Sequence, residues 1–300
     1  MNSPEKIENL SIAGENAHSS PRDKLIGGIL LDAGLIKSED VERIAIHSRI
    51  QNQRFGDAAV ALGLVSPDAL QRALAYQFDY PVLQRGATGI SGEVVAAFES
   101  GHPVLDDLRV LRNQIQLGWL SSRAEGSGNQ VVAVMSAGRR EGRSFVAANL
   151  AVLFSQMGER TLLIDADMRH PRQHTLFGLQ TQAGLSAVLA HRAVGIVYRR
   201  IEGLRSLSVV GCGGTPPNPV DLLARDAFGH VLEGFSKVFG VIIVDCPSAE
   251  YPEAEMIAAR ARGCVLVARE GVSSFAGLQK LSARIRAAQA TVIGSVLMKH

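Results

Sequence analysis

From Lys24 to about Gln84 the apolar residues recur at three- and four-residue spacing, interrupted at "GLIKSED" and "GLVSPD". In each interruption a glycine closes one helix and a serine opens the next, so the spacing predicts a small all-α domain over 23–84. Farther along, the period changes. Six short apolar runs, "VVAVMS", "RTLLIDAD", "LSVVG", "GVIIVDC", "GCVLVARE" and "TVIGSVLM", alternate with helix-sized spacers. Near-continuous apolar runs of that length predict the buried strands of a mostly parallel sheet with helices on both faces, an α/β fold over 103–300.

Polar stretches fill the remainder. Residues 1–22, rich in Ser, Asn and Glu, predict a disordered leader; 85–102, containing "RGATGISGE", reads as a linker and "SSRAEGSGN" (121–129) as a loop before the first strand. A length of 300 residues exceeds the usual roughly 100–200 of one domain and agrees with this division.

Composition narrows the class. With 46% hydrophobic and 20% charged residues the chain is globular, and a net charge of +2 gives no bulk attraction for a nucleic-acid polymer. Cys212, Cys246 and Cys264 are odd in number and lack C-x-x-C spacing, which predicts reduced core thiols and a cytoplasmic setting. No apolar h-region follows the start and no run approaches the ~20 apolar residues of a membrane span, so any membrane association is expected through a partner.

A repeat lies inside the helical region. Residues 25–48 align without gaps on 54–77, an offset of 29, pairing Gly27 with Gly56 and Gly34 with Gly63.

Candidate chemistry concentrates at "SAGRREGRSF" (136–145), between an apolar strand and a helical run. Strand, tight turn and helix N-terminus are the parts of a phosphate-binding loop, whose inward N–H groups and helix dipole favour anions. Against G-x-x-x-x-G-K-[ST], Gly142 and Ser144 match, Ala137 replaces the first glycine and Arg143 the lysine. Gly138, Arg139, Arg140, Glu141, Gly142, Arg143, Ser144 and Phe145 are the nucleotide-binding candidates. Alone, such a loop also fits an ordinary strand–turn–helix connection. Two acidic strand ends change the balance: Asp165 and Asp167 end one predicted strand and Asp245 another, where open α/β sheets bind ligands. Hard carboxylate oxygens beside a triphosphate suit Mg²⁺, with Ser144, Asp165, Asp167 and Asp245 as its candidate ligands. Taken singly, each carboxylate is equally a helix cap or turn residue.

"LLIDADMRHPRQHTLFG", "TPPNPVDLL" and "VIIVDCPSAEYPEAEMIA" resemble motifs of the bacterial tyrosine kinases of capsule and exopolysaccharide synthesis, in the MinD/ParA-like branch of P-loop NTPases. Within them the chain is most similar to the EpsG-type, chain-length-determinant subgroup. Asp106, Arg109 and Arg112 keep the E-x-x-R-x-x-R spacing through which these kinases form rings, with aspartate for glutamate. The resemblance implies ATP and Mg²⁺ as cofactors. It places Arg143 and Ser144 at the β/γ-phosphates and the metal, Asp165 as activator of the acceptor hydroxyl, and Asp167 and Asp245 around the metal. It also implies a homo-oligomeric ring and an inner-membrane chain-length determinant as partner. Two departures stand out. Arginine offers a planar fork in place of a compact ammonium, although "GEGRS"-type loops are expected of this subgroup. The sequence ends "IGSVLMKH", and its tyrosines are Tyr76, Tyr80, Tyr198 and Tyr251, so phosphorylation of a C-terminal tyrosine cluster is not expected.

The tandem repeat resembles the N-terminal domain of pilus and type II secretion ATPases, the MshEN-like domain, some of which bind cyclic di-GMP. In the second copy Arg54, Gly56, Gly63, Leu70, Leu74 and Gln77 match; the first keeps Gly27 and Gly34 but has Leu25, Ala45 and Ser48 for Arg, Leu and Gln. Cyclic di-GMP binding and a docking module without ligand both remain open. For the whole chain the expectation is a tyrosine kinase and ATPase of exopolysaccharide chain-length control. The alternatives are a nucleotide-gated scaffold of that machinery and, third, a MinD/ParA-like positioning ATPase, for which neither an amphipathic anchor nor a basic DNA-binding surface is apparent.

Overall fold

A computed structural model of the chain describes residues 25–78, 80–86, 89–121, 130–180, 183–193, 197–224 and 226–299. The leader expected over 1–22 and most of the loop expected over 121–129 lie outside them. Two compact units meet in sequence at Val82 and Leu83.

The first unit holds four helices, α1 (Ile26–Asp32), α2 (Ser38–Gln51), α3 (Phe55–Ala61) and α4 (Pro67–Gln77). The sequence repeat is a structural one. At the end of α1 the N–H groups of Ala33, Gly34 and Leu35 donate to the carbonyls of Ile29, Leu31 and Leu30; at the end of α3 those of Leu62, Gly63 and Leu64 donate to Ala58, Val60 and Ala59. Gly34 and Gly63 occupy the left-handed region at φ 63° and 68°, which closes each short helix at low steric cost. Ile29, Leu30, Ile44, Ala58 and Leu70 form the buried centre.

The second unit begins with α5 (Val95–Phe98) and α6 (Pro103–Gln114), the latter continued by a π-helical turn at Ile115–Leu120. There follow β1 (Val131–Ser136), α7 (Arg143–Ser155), β2 (Thr161–Asp165), α8 (Gln173–Leu176), α9 (Leu185–Leu189), β3 (Arg199–Ile201) and β4 (Leu204–Val210). The chain ends through α10 (Pro219–Ala224), α11 (Asp226–Ser236), β5 (Val241–Asp245), α12 (Glu253–Ala261), β6 (Gly263–Arg269), α13 (Phe275–Ala287) and β7 (Thr291–Met298). The strands form one sheet in the order β3-β4-β2-β5-β1-β6-β7, parallel except where β3 meets β4. Each of the six apolar runs is one of its strands. The exception, β3, is three residues of "RRI" at an edge, too short and too polar to carry a strand pattern. Residues of β1, β2 and β5 are buried throughout, because α5, α6 and α7 cover one face and α9, α11, α12 and α13 the other. The π-helical turn packs with the first of these layers. This is the α/β, P-loop NTPase architecture expected.

The segment 85–102 departs from the expected linker. Its described residues belong to the second unit, with Val94, Ala96 and Ala97 fully buried against α7. The Leu83 N–H donates to the Ala97 carbonyl at 2.7 Å and the Ser91 N–H to Leu176 at 2.8 Å. Asn149, buried in α7, accepts from the Ala96 N–H (2.9 Å) and donates to the Glu93 carbonyl (3.0 Å). Gly178 lies so close to Gly89 that a Cβ on it would stand 2.3 Å from the Gly89 carbonyl oxygen. Five apolar residues between polar neighbours were too few to set a period; side-chain clamps from α7 hold the segment instead.

Candidate nucleotide site

β1 has β5 on one side and β6 on the other, and the chain leaves it to form β2 beyond β5. The carboxyl end of β1 is thus a topological switch point, where a crevice opens. The loop Ala137–Gly142 fills that end and runs into α7. Gly142 is the residue before the helix, at φ 97°, with Met298 3.1 Å from where a Cβ would be. Its hydrogen side chain is what the turn requires. Arg140 is also left-handed, at φ 60°.

A cavity of about 580 Å³ opens over the loop, lined by Arg139 through Phe145 and by Asp167, with Arg172 and Glu93 on one wall and Arg269 and Lys299 on another. Of the loop residues, Glu141 turns inward: it is 2% exposed, accepts from the Gly138 N–H at 2.9 Å and from the Ser273 hydroxyl at 2.6 Å. It braces the loop and has no oxygen left over for a ligand.

Arg143 is buried, at 8% exposure, and its guanidinium is spread over protein acceptors. Nε donates to the Cys246 carbonyl (2.9 Å), Nη1 to the Gly138 carbonyl (2.6 Å) and to Ser136 Oγ, and Nη2 lies 3.6 Å from Asp167 Oδ2. The fork ties the loop to the end of β5.

Asp165 and Asp245 are register partners on β2 and β5, both fully enclosed. Asp165 departs from its expected place at an acceptor hydroxyl. Its Oδ2 accepts from the Arg172 and Gln173 N–H groups, each at 2.9 Å, and its Oδ1 from the Asp167 N–H at 3.3 Å, so it caps the turn into α8 behind the cavity wall. Asp167 faces the cavity, with Oδ1 accepting from the N–H groups of Arg169 (3.2 Å) and His170 (2.9 Å). Asp245 Oδ2 accepts from Gln173 Nε2 at 2.7 Å, while its Oδ1 is buried with no hydrogen-bond partner. Gln173 also donates to the Ser144 carbonyl at 3.1 Å, linking α7, β5 and α8.

Burial pushes the Asp165 carboxyl well above the usual carboxylate range, with the Asp245 charge adding to it. Burial likewise raises Asp245 to about 6, against the pull of the Gln173 hydrogen bond, Arg143 and the Ser144 hydroxyl. An ionised, half-satisfied carboxylate beneath a basic loop is the donor set a cation fits. Among the described residues no three His, Cys, Asp or Glu side chains group to hold a metal unaided. Mg²⁺ needs no such cage, since it binds through one or two carboxylates plus phosphates and water. Asp245 Oδ1 and the Ser144 hydroxyl suit it; Asp165 and Asp167 are engaged elsewhere.

Gln173 and Glu93 were not legible from sequence. Gln173 lies inside the acidic motif "IDADMRHPRQ" but has no charge to draw notice, and Glu93 lies in the supposed linker. The three cysteines are buried as expected, and burial pushes the Cys212 and Cys264 thiols up to about 12.

The ring-forming candidates share α6. Asp106 is exposed and pairs with Arg109 at 2.8 Å, whose other nitrogen donates to the Ser100 carbonyl; Arg112 reaches the Leu153 carbonyl at 3.4 Å. In the first unit the glycines have internal causes. The Phe55 ring lies 3.3 Å from a Cβ placed on Gly27, and Leu70 Cδ1 2.6 Å from one on Gly56. Leu70 is thereby core, not a surface for a base to stack on. Leu74 packs beside that core, Gln77 is half-buried and Arg54 exposed.

A basic loop at a helix N-terminus and two adjoining acidic strand ends define a P-loop nucleotide-binding protein. Comparison carries the assignment further. The chain is 33% identical over 162 residues to the tyrosine-protein kinase CapB of Staphylococcus aureus, covering 53% of this chain and 70% of that protein. It is 33% identical over 155 residues to the tyrosine-protein kinase ptk of Acinetobacter johnsonii, 51% of this chain but only 20% of that longer protein. The kinase domain of the Escherichia coli tyrosine kinase ETK superposes with a TM-score of 0.65 at 25% identity, over 75% of this chain and 86% of that domain. No protein-family model matches. The chain belongs to the bacterial tyrosine-protein kinase family.

Proposed function

We propose that the chain binds Mg·ATP in this cavity and transfers the γ-phosphoryl group to tyrosine, in exopolysaccharide chain-length control with an inner-membrane chain-length determinant. The observation that carries the reading is the unpartnered, buried Asp245 Oδ1 beneath the phosphate loop and beside Ser144. Loop N–H groups and the α7 dipole hold the phosphates, and Arg139, Arg140 and Lys299 supply positive charge at the rim. Ser144 and Asp245 would hold Mg²⁺, which would supply charge neutralisation for the transferred phosphoryl group. Asp167, the strand-end carboxylate that lines the cavity, takes the acceptor side; Asp165 holds the turn that carries it. Asp106, Arg109 and Arg112 contribute to a homo-oligomeric ring, and the first unit serves as a docking module in preference to a cyclic di-GMP receptor, given its inward-packed Gly56 and Leu70.

A second reading, a nucleotide-gated scaffold that does not phosphorylate tyrosine, is favoured by the enclosure of Arg143 among protein acceptors. No helix among the described residues is long and apolar enough to cross a membrane. Calorimetric Mg·ATP binding by the wild type and Arg143→Ala tests the site, and equal affinity in both removes the loop from it. Mass spectrometry for phosphotyrosine on the chain and its partner separates kinase from scaffold.

A further inference from the structure

Three carboxylates and several cations line the cavity: Asp167 has a place in the chemistry above, Glu141 braces the loop, and Glu93 does neither. Glu93 lies in the segment that precedes α5, outside the loop and both acidic strand ends. Its Oε1 pairs with Arg172 Nη2 at 2.8 Å, both side chains half exposed at 49%, and both residues line the cavity. The backbone beneath each is fixed. Asn149 holds the Glu93 carbonyl, and Asp165 Oδ2 accepts from the Arg172 N–H. The ion pair is therefore the adjustable part, a long guanidinium stem on an anchored main chain facing an anchored carboxylate.

Resting on the nucleotide reading, we infer that Glu93 is a positioning residue that competes with the triphosphate for Arg172. A guanidinium matches phosphate as well as carboxylate in bidentate geometry, and a triphosphate brings more negative charge than one glutamate. Arg172 passes from Glu93 to the phosphate when nucleotide enters, so Glu93 weakens affinity while keeping the arginine at the cavity wall. Because Glu93 is on the segment clamped to α7, displacement of that segment changes the competition.

The test measures Mg·ATP affinity by calorimetry on the full-length wild type, Glu93→Gln, Arg172→Gln and the double variant, with thermal unfolding as a folding control. Exposed ion pairs contribute little to stability, so all four are expected to fold. Glu93→Gln is expected to bind about two- to fivefold more tightly, the range an exposed pair of this kind corresponds to. Arg172→Gln is expected to bind more weakly, and adding Glu93→Gln to it to bring no gain. Unchanged or weaker binding by Glu93→Gln overturns the competition, as does a gain that persists without Arg172, which would reflect net charge alone. A wild type that binds no Mg·ATP overturns the nucleotide reading and this inference together, whereas a binding wild type with an indifferent Glu93→Gln overturns the inference alone.

Discussion

Asp245→Asn is expected to stabilise the protein while removing its function. The carboxyl is fully enclosed, one oxygen lacks a partner, and burial has moved it from the ordinary 3.8 to about 6. An acid that holds its proton more tightly when folded loses stability as pH rises from its unfolded value through its folded one, and the full penalty is present above that. The difference corresponds to about 3 kcal/mol near pH 7.5 and about 1 kcal/mol near pH 4.5. Asparagine keeps an oxygen for Gln173 and carries no charge, but leaves an amide without an acceptor, so the expected net gain near neutrality is about 1–2 kcal/mol. In a unit of this size that raises the melting temperature by roughly 2–8 °C. Thermal unfolding of both proteins near pH 7.5 and about pH 4.5, with Mg·ATP calorimetry alongside, reads it out. A variant less stable near neutrality, or a gain equally large at the acid end, would refute the account of Asp245 as an ionised group held at a cost for a cation.

Gln173→Ala removes the donor to Asp245 and to the Ser144 carbonyl. It should lower stability by about 1–3 kcal/mol, read by denaturant unfolding, and weaken Mg·ATP binding. Gly178→Ala places a methyl group against the Gly89 carbonyl at φ +60°, so a loss of about 2–5 kcal/mol is expected in the same assay. Asp106→Ala with Arg109→Ala should reduce sedimentation to that of a smaller species under Mg·ATP if α6 forms the ring contact. Arg143→Lys exchanges a fork with four protein partners for a point charge; nucleotide turnover, not folding, is the property expected to change most.

What was legible in the sequence follows from where the signal is dense. Strands buried on both faces announce themselves as apolar runs, so β1, β2 and β4 to β7 could be read, whereas the three polar residues of β3 could not. The phosphate loop and its acidic neighbours were legible because they occur together, a basic glycine-bounded loop after one strand and aspartates at the ends of two others, although each alone fits a cap or a turn. Their orientation was not. Whether Asp165 faces an acceptor or caps α8 depends on the Arg172 and Gln173 N–H groups, and no spacing rule gives the direction of a carboxylate. The 85–102 segment was misread because Asn149 and Gln156, far along the chain, hold it in place.

Cys246 follows Asp245 at the end of β5 with its sulfur wholly covered and its proton held tightly by burial. The sulfur packs in the layer formed with α12 and β6, while its carbonyl holds Arg143, so an alkylating reagent can reach it only in molecules that have opened at the end of β5. The rate of its modification therefore counts openings of the sheet end that carries the site, and a nucleotide bound there is expected to slow it.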